Sequence, residues 1–149
     1  MRLEIRLATS NDADLVIAAL VEQLARQVQN ICFTKDLAPV QWSALRYFAK
    51  AGPSARTVSG LTAYSGVNQS SATRTVQLLL KKELVEVEKD RRFKIISLTE
   101  KGRKLLARDP LKQLAEAIRI LIPEDKAALQ VALATLLLQL YPRPFKDKP

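Results

Sequence analysis

A short polar segment, residues 68–77, carries the side-chain groups that can hydrogen-bond to the edges of bases in the major groove of DNA. Arginine can donate two bonds to guanine, glutamine can pair in the same way with adenine, and hydroxyls can bond to several bases. At helical spacing these side chains fall opposite an apolar row. Asn68 is the expected helix cap, Ser71 lies at the edge of the polar face, and that face carries Gln69, Ser70, Thr73, Arg74 and Gln77. A merely solvated helix face is the alternative.

A second polar cluster lies downstream at the tip of a predicted hairpin. Its strands are predicted at Leu84–Glu88 and Lys94–Leu98, and the tip between them contains Lys89, Asp90, Arg91 and Arg92. An arginine at such a tip can enter the minor groove of DNA, where the potential is most negative over narrow A·T-rich stretches, and Asp90 can brace it. An exposed loop with solvated arginines is the alternative.

Three predicted helices must position the polar side chains of residues 68–77 and of the hairpin tip. The first opens at Ala38-Pro39-Val40-Gln41 and ends at Ala51-Gly52-Pro53, and the second follows a Thr57 cap. Gly66 allows the tight reversal of a helix-turn-helix before Asn68 begins the third helix. After the hairpin, Thr99 is expected to cap another helix and Gly102 to permit close packing. The apolar positions expected to face the core are Val40, Trp42, Leu45, Phe48, Ala49, Val58, Leu61, Tyr64, Ala72, Val76, Leu79 and Leu80.

Two outer segments are also helical in pattern. The N-terminal one, predicted over residues 14–33 with Asp12 or Asp14 as its cap, repeats apolar residues along one face. The C-terminal helices start at Asp109-Pro110 and Pro123, and the second is apolar nearly all round. A chain this small cannot easily bury both outer segments alone, so we expect a homodimer; a monomeric helical core is the alternative. Residues 1–8 alternate like a strand, and residues 146–149 form a polar tail expected to be disordered.

Composition narrows the class of protein. The 149 residues include 24 Lys and Arg, 15 Asp and Glu, one cysteine (Cys32) and no histidine, for a net charge of +9. Histidine-dependent nucleophiles and zinc sites are therefore excluded, and we expect no enzyme activity and no cofactor. No stretch is long and apolar enough for a membrane span, so the chain is expected to be soluble and cytoplasmic.

The charge is unevenly distributed. Between Leu37 and Arg108 there are 14 Lys and Arg against 5 Asp and Glu, which accounts for the whole excess, whereas the flanking segments hold 10 of each. A basic block within a folded segment indicates a polyanionic partner, with nucleic acid the first candidate. A basic protein without such a partner is the alternative.

These residues resemble the MarR (multiple antibiotic resistance regulator) family of winged-helix transcription factors over roughly residues 12 to 141. The run from Leu61 to Arg74, then Leu84-Val85, Asp90-Arg91-Arg92 and Leu98-Thr99-Glu100-Lys101-Gly102, follows the order and spacing of that family. The resemblance implies a dimeric DNA-binding regulator, usually a repressor, that binds a pseudo-palindromic site in double-stranded DNA. It also implies that Gln69, Ser70, Ser71, Thr73 and Arg74 contact bases and phosphates, and that Arg92 is the wing arginine, positioned by Asp90.

The sequence departs from the family pattern in two places. The stretch from Val85 to Asp90 is about three residues shorter than is usual in the family, and Glu83 stands where a helix-ending glycine is common. Glu83 therefore requires less favourable backbone geometry.

The resemblance also introduces a small aromatic effector as a candidate ligand. Trp42, Phe48, Phe33 and Tyr47 are its candidate contacts, although their spacing favours the core. One branch of the family senses peroxides through a lone cysteine, but Cys32 lies near the end of the first helix without a second cysteine, so we expect a buried structural residue.

The expected fold is mainly α (α+β): a winged helix-turn-helix with N- and C-terminal dimerisation helices. Residues 1–36 form an arm and dimerisation helix, residues 37–105 the DNA-binding region, and residues 106–149 the C-terminal dimerisation helices and tail. The leading hypothesis is a sequence-specific dimeric transcriptional regulator. The alternative is a winged-helix protein–protein interaction module that binds an acidic partner without sequence-specific DNA binding.

Overall fold

The computed structural model describes residues 10–90 and 93–141. Within them the chain forms a mainly helical fold with one antiparallel hairpin, which confirms the predicted winged helix-turn-helix. The elements follow in the order α1 (Ser10–Cys32), α2 (Pro39–Lys50), a short 3-10 helix (Pro53–Ala55), α3 (Val58–Ser65), α4 (Gln69–Lys81), β1 (Val85–Asp90), β2 (Phe93–Leu98), α5 (Glu100–Leu106), α6 (Leu111–Arg119) and α7 (Pro123–Leu140).

The hydrophobic core lies in the middle of the chain. Among the described residues, every buried apolar side chain falls between Cys32 and Leu105, and the largest fully buried ones include Trp42 and Phe48. Both belong to α2, which packs against α4, β2 and α5 and so forms the centre of this core. The core therefore fixes the two elements that carry the candidate DNA contacts, α4 and the hairpin.

Three positions predicted to face the core do not. Tyr64 on α3 is 55% exposed, and its ring packs against Tyr47 with the ring centroids 4.9 Å apart. Val40 is 47% exposed because it lies on the side of α2 opposite Leu45. Ala49 is exposed because it borders an open cleft near the end of α2. The apolar spacing predicted helix α2 correctly but assigned too wide a face of it to the core.

The N-terminal helix begins earlier than predicted. Helix α1 starts at Ser10, so Asp12 lies in its first turn and Asp14 lies further inside it. The prediction that one of them is the N-cap is therefore wrong. A carboxylate in the first turn is compatible with the helix because it interacts favourably with the helix dipole. Residues 1–8 and 146–149 lie outside the described residues.

The C-terminal helices begin where the sequence indicates. The Asp109 carboxylate accepts a hydrogen bond from the Leu111 backbone N–H at 2.9 Å, and Pro123 opens α7 with Glu124 and Asp125 in its first turn. Neither α6 nor α7 buries a residue in the described chain. Leu138, for example, is 78% exposed. Among the described helices, none combines the length and apolar character needed to cross a bilayer.

Candidate nucleic-acid interface

The outward face of α4 presents a continuous row of exposed polar side chains. Ser70, Arg74, Gln77 and Lys81 recur at i, i+4, i+7 and i+11, opposite the buried side of the helix. Within the described part of the chain, none of these side chains has a hydrogen bond or an ion pair. Their donors and acceptors are therefore free for an outside partner. Lys81 was missed in the sequence analysis, although extending the same helical spacing by one turn would have found it.

The other predicted α4 residues occupy different environments. Gln69 is exposed at the start of the helix, whereas Ser71 and Thr73 are half-buried at its flank. The Asn68 side-chain oxygen accepts the Ser71 backbone N–H at 2.8 Å, which confirms Asn68 as the N-cap. Asn68 therefore serves the helix start, and the exposed part of the predicted set is centred on Ser70, Arg74 and Gln77.

The turn before α4 depends on one glycine. Gly66 ends α3 with φ at 68°, in the left-handed region that glycine adopts at little cost. At the other end of α3, the Thr57 side chain accepts the Gly60 backbone N–H at 3.0 Å. Leu61 is buried, and α3 packs against α4. These contacts fix the angle at which α4 projects from the core.

The end of α4 uses the same left-handed geometry without a glycine. Glu83 has φ at 59°, which confirms the unfavourable backbone expected at this position. The Leu84 N–H bonds to the Leu79 carbonyl at 3.0 Å and the Glu83 N–H to the Leu80 carbonyl at 2.9 Å. This is the Schellman pattern of helix ends, and it holds the unfavourable residue in place.

The hairpin that forms the wing is longer than predicted. Its strands extend to Asp90 and Phe93, which face each other in register, so Lys89, Asp90 and Phe93 belong to strands and not to the loop. Continued pairing satisfies backbone groups that a loop would leave open. Arg91 and Arg92 lie outside the described residues.

Two lysines lie opposite each other on the two strands of the wing. Lys89 lies directly opposite Lys94, and both side chains are exposed. Since side chains alternate across a strand, the two lysines share the face that Val85 and Leu98 bury nearer the core. Lys94 was not among the predicted contacts, although strand alternation relative to Lys89 could have indicated it.

An ion pair joins the winged helix to the outer helices. Arg46 on α2 donates to both Asp109 carboxylate oxygens, at 2.6 and 2.7 Å, and also contacts the buried Cys32 Sγ at 3.6 Å. Asp109 stands between α5 and α6, where its carboxylate also accepts the Leu111 N–H at the start of α6. The sequence predicted a helix start at Asp109-Pro110 but not this pairing, because residues 46 and 109 are distant in the chain; the N-cap itself is Pro110.

The pair shifts the protonation equilibria of both groups. Burial alone would raise the pKa of Asp109, but hydrogen bonds from Arg46 and the Leu111 N–H, together with the Arg46 charge, lower it below its ordinary value. The hydrogen bond to Asp109 raises the pKa of Arg46 against the opposing effect of burial. Both groups therefore stay charged at neutral pH.

The aromatic residues considered for an effector cleft do not line one together. Trp42 and Phe48 are buried, as expected for the core, and the Trp42 indole donates to the Thr34 hydroxyl at 3.1 Å. Tyr47 is half-buried and its hydroxyl donates to the Ala55 carbonyl at 2.6 Å. Phe33 is 73% exposed because it follows the last residue of α1 and points away from the core, so the expectation that it belongs there is wrong.

A family model matches the segment of the chain that contains this interface. The model of the MarR family matches residues 35–92, from the approach to α2 through the hairpin. Over this segment the chain is similar to the MarR family. The similarity supports a winged-helix transcriptional regulator and agrees with the resemblance found in the sequence. No curated protein matches the chain.

Solved structures of the MarR fold extend the match to the outer helices. The transcriptional regulator BldR from Sulfolobus solfataricus is 22% identical, with a TM-score of 0.70 over 89% of this chain and 100% of its own. A MarR family protein from Bacillus stearothermophilus is 19% identical, with a TM-score of 0.69 over 91% and 98%. Staphylococcus aureus MarR in complex with salicylate and kanamycin is 21% identical, with a TM-score of 0.65 over 88% and 91%. At these identities the likeness shows the fold alone.

Proposed function

We propose that this chain is a homodimeric, sequence-specific DNA-binding regulator that acts as a repressor. The observation that carries the proposal is the free polar row on α4, because its side chains have no partner within the described residues and lie on a helix that the core holds rigidly. In this proposal Arg74 and Gln77 bond to base edges, while Gln69 and Ser70 contact bases or phosphates near the helix start. Asn68, Ser71 and Thr73 support them at the flank.

The wing would supply the second set of contacts. We assign Arg91 and Arg92 to the minor groove, with Asp90 beside them, because they connect two paired strands that project from the core. Lys89 and the opposing Lys94 add two exposed positive charges toward the same end of the hairpin. These lysines suit phosphates, which are bound by charge with little dependence on sequence.

The dimer would form through residues 1–36 and 106–149, with residues 37–105 as the DNA-binding region. This division is supported by burial, since the described core lies between Cys32 and Leu105 while α6 and α7 bury nothing. Exposed apolar surface of this extent is typical of an interface. Within α1 and α7 the most exposed apolar side chains include Leu15 at 70% and Leu140 at 78%. A two-fold dimer would present two α4 helices to successive major grooves.

A small aromatic effector is the proposed signal, on the likeness to the Staphylococcus aureus protein that holds salicylate. A thermal-shift screen with aromatic acids tests this part separately. A ligand of this class should raise the melting temperature of the folded protein because it binds the native state.

Selection of bound fragments from genomic DNA of the source organism, followed by sequencing, tests the proposed function. We expect a two-fold-symmetric site whose half-sites lie about 10–10.5 base pairs apart, or a multiple of that distance. Binding should weaken steeply with salt. If selected and random DNA bound equally weakly and the protein were a monomer, the proposal would be wrong, and a protein–protein interaction module with an acidic partner would be favoured.

A further inference from the structure

A groove of about 670 Å³ lies where the loop after α1, the end of α4 and helix α5 come together. Two carboxylates line it, those of Asp36 and Glu100, together with five cations. The cations are Lys35, Lys82, Lys101, Lys104 and Arg108. The groove therefore carries an excess of three positive charges. A concave surface lined mainly by one sign of charge concentrates ligands of the opposite sign.

Two of the five cations are paired with carboxylates, but only weakly. Lys104 lies 3.3 Å from Glu100, and Lys101 lies 3.8 Å from Glu83. The four side chains are between 63% and 82% exposed. Ion pairs as exposed as these contribute little to stability, so both lysines can turn to a more highly charged anion at small cost.

The other three cations have no counter-charge within ion-pair distance among the described residues. The Lys82 ammonium donates to the backbone carbonyl of Asp36, which is a neutral acceptor. Lys35 and Arg108 are exposed, and neither side chain has a hydrogen bond or an ion pair in the described chain. Lys35 follows α1, Lys82 ends α4 and Arg108 follows α5. A ligand that pairs with all three must carry several negative charges and be extended enough to reach three segments.

We propose that this groove binds an oligophosphate chain, as found in inorganic triphosphate and in nucleoside triphosphates. A single phosphate monoester carries only about 1.5 to 2 negative charges at neutral pH, fewer than the excess in the groove. Four of the five cations are lysines, whose compact ammonium groups suit phosphate, whereas the arginine fork is the better match for a carboxylate. The apolar lining residues, Leu84 and Leu105, are themselves buried, so an aromatic body gains little contact there.

The groove lies apart from the proposed DNA contacts. Lys82 follows Ser70 by twelve positions, which is about 18 Å along a helix. Leu84 precedes Asp90 by six residues, which is about 20 Å along an extended strand. A ligand in the groove therefore contacts the far end of α4 and the two segments that lead to the outer helices. The inference does not depend on the proposed function, because binding to the groove is measured without DNA.

Isothermal titration calorimetry on the full chain tests the site, with inorganic triphosphate and adenosine triphosphate as probes and orthophosphate as the single-phosphate control. We expect both probes to saturate one site, because they share the phosphate chain, and the tighter of the two identifies its source. Orthophosphate should bind at least about tenfold more weakly, since it offers less charge.

Substitutions locate the binding in the groove. Lys35→Gln, Lys82→Gln and Arg108→Gln should each weaken triphosphate binding roughly threefold to tenfold, because each removes one charge-assisted contact. All three side chains are exposed, so the variants should keep the melting temperature of the wild type. Lys50→Gln is the matched control, since it makes the same change in net charge at an exposed position outside the groove.

Four results would overturn the inference. The first is the absence of saturable triphosphate binding at millimolar concentrations. The second is an equal loss in Lys50→Gln, which would assign the binding to the net charge of the whole chain. The third is equally tight binding of an acetylated and amidated triglutamate peptide, which would favour an acidic protein partner. The fourth is a failure of triphosphate to bind while the groove variants weaken DNA binding and reduce its salt dependence, which would assign the cations to the DNA backbone.

Discussion

The ion pair between Arg46 and Asp109 connects the DNA-binding region to the helices proposed for dimerisation, and its removal should be costly. Asp109→Asn keeps an oxygen that can accept the Leu111 N–H, so it removes the charge while preserving that hydrogen bond. The Arg46 bond to Oδ2 at 2.6 Å is lost, the bond to Oδ1 at 2.7 Å no longer has a charged acceptor, and Arg46 loses its counter-charge. Breaking a fully buried pair costs roughly 3–5 kcal/mol. Because the two side chains remain 19% and 12% exposed, we expect about 2–4 kcal/mol.

A double-mutant cycle measured by urea unfolding isolates the interaction itself. Arg46→Met, Asp109→Asn and the double variant should give a coupling energy of at least about 1.5 kcal/mol, since the double variant leaves no uncompensated charge. The exposed pair Glu22–Arg26, at 2.8 Å, provides the control: Glu22→Gln should cost under about 1 kcal/mol. A coupling energy between Arg46 and Asp109 no larger than about 0.5 kcal/mol would refute the reasoning.

The Arg46–Asp109 pair should also make the stability of the protein depend on pH. The pKa of Asp109 is lowered in the folded chain, so its contribution is complete above the unfolded value, near 3.9, and is lost as the pH falls through the folded value. The stability difference between the wild type and Asp109→Asn should be constant around neutral pH and shrink below about pH 4. A difference that stayed constant into strong acid would show that the charge of Asp109 is not the cause.

Two further substitutions test the end of α4 and the outer helices. Glu83→Gly should raise the free energy of unfolding by about 1 kcal/mol because it relieves the left-handed backbone, whereas Glu83→Ala should give no gain; equal effects of the two would contradict this cause. Leu138→Glu should turn the dimer into a monomer in sedimentation analysis, because it puts a charge into the proposed interface. Gln139→Glu, on the same helix, should leave the dimer intact, and a Leu138→Glu protein that stays dimeric would exclude this part of α7 from the interface.

The sequence predicts features that depend on neighbouring residues. Thr57, Asn68 and Thr99 each accept the backbone N–H three residues later, as expected of caps. A Cβ on Gly102 would collide with the Leu84 carbonyl, in agreement with the close packing predicted there. The unfavourable backbone at Glu83 was expected because the family pattern commonly has a glycine at this position. The caps depend on local backbone geometry, whereas the positions of Glu83 and Gly102 were recognised from the family pattern and from residue type.

Features that depend on distant residues could not be predicted in this way. The Arg46–Asp109 pair spans 63 positions, and each residue alone has an ordinary local explanation. The cleft lined by Arg56 and Arg103 forms only where the end of α2, strand β2 and α5 come together. The strands end at Asp90 and Phe93 because their backbones pair. The charged side chains of this segment are typical of a loop, so the sequence did not predict the pairing.

The central claim is that the outward row of α4 reads DNA sequence, and Arg74 tests it most directly. Fluorescence anisotropy should compare the selected site with a shuffled sequence of the same composition, at fixed salt, for the wild type, Arg74→Ala and Arg108→Ala as a charge-matched control. We predict that Arg74→Ala loses roughly 1–3 kcal/mol on the selected site and little on the shuffled one, while Arg108→Ala keeps the discrimination. Equal losses on both sequences, or no loss on either, would contradict the account.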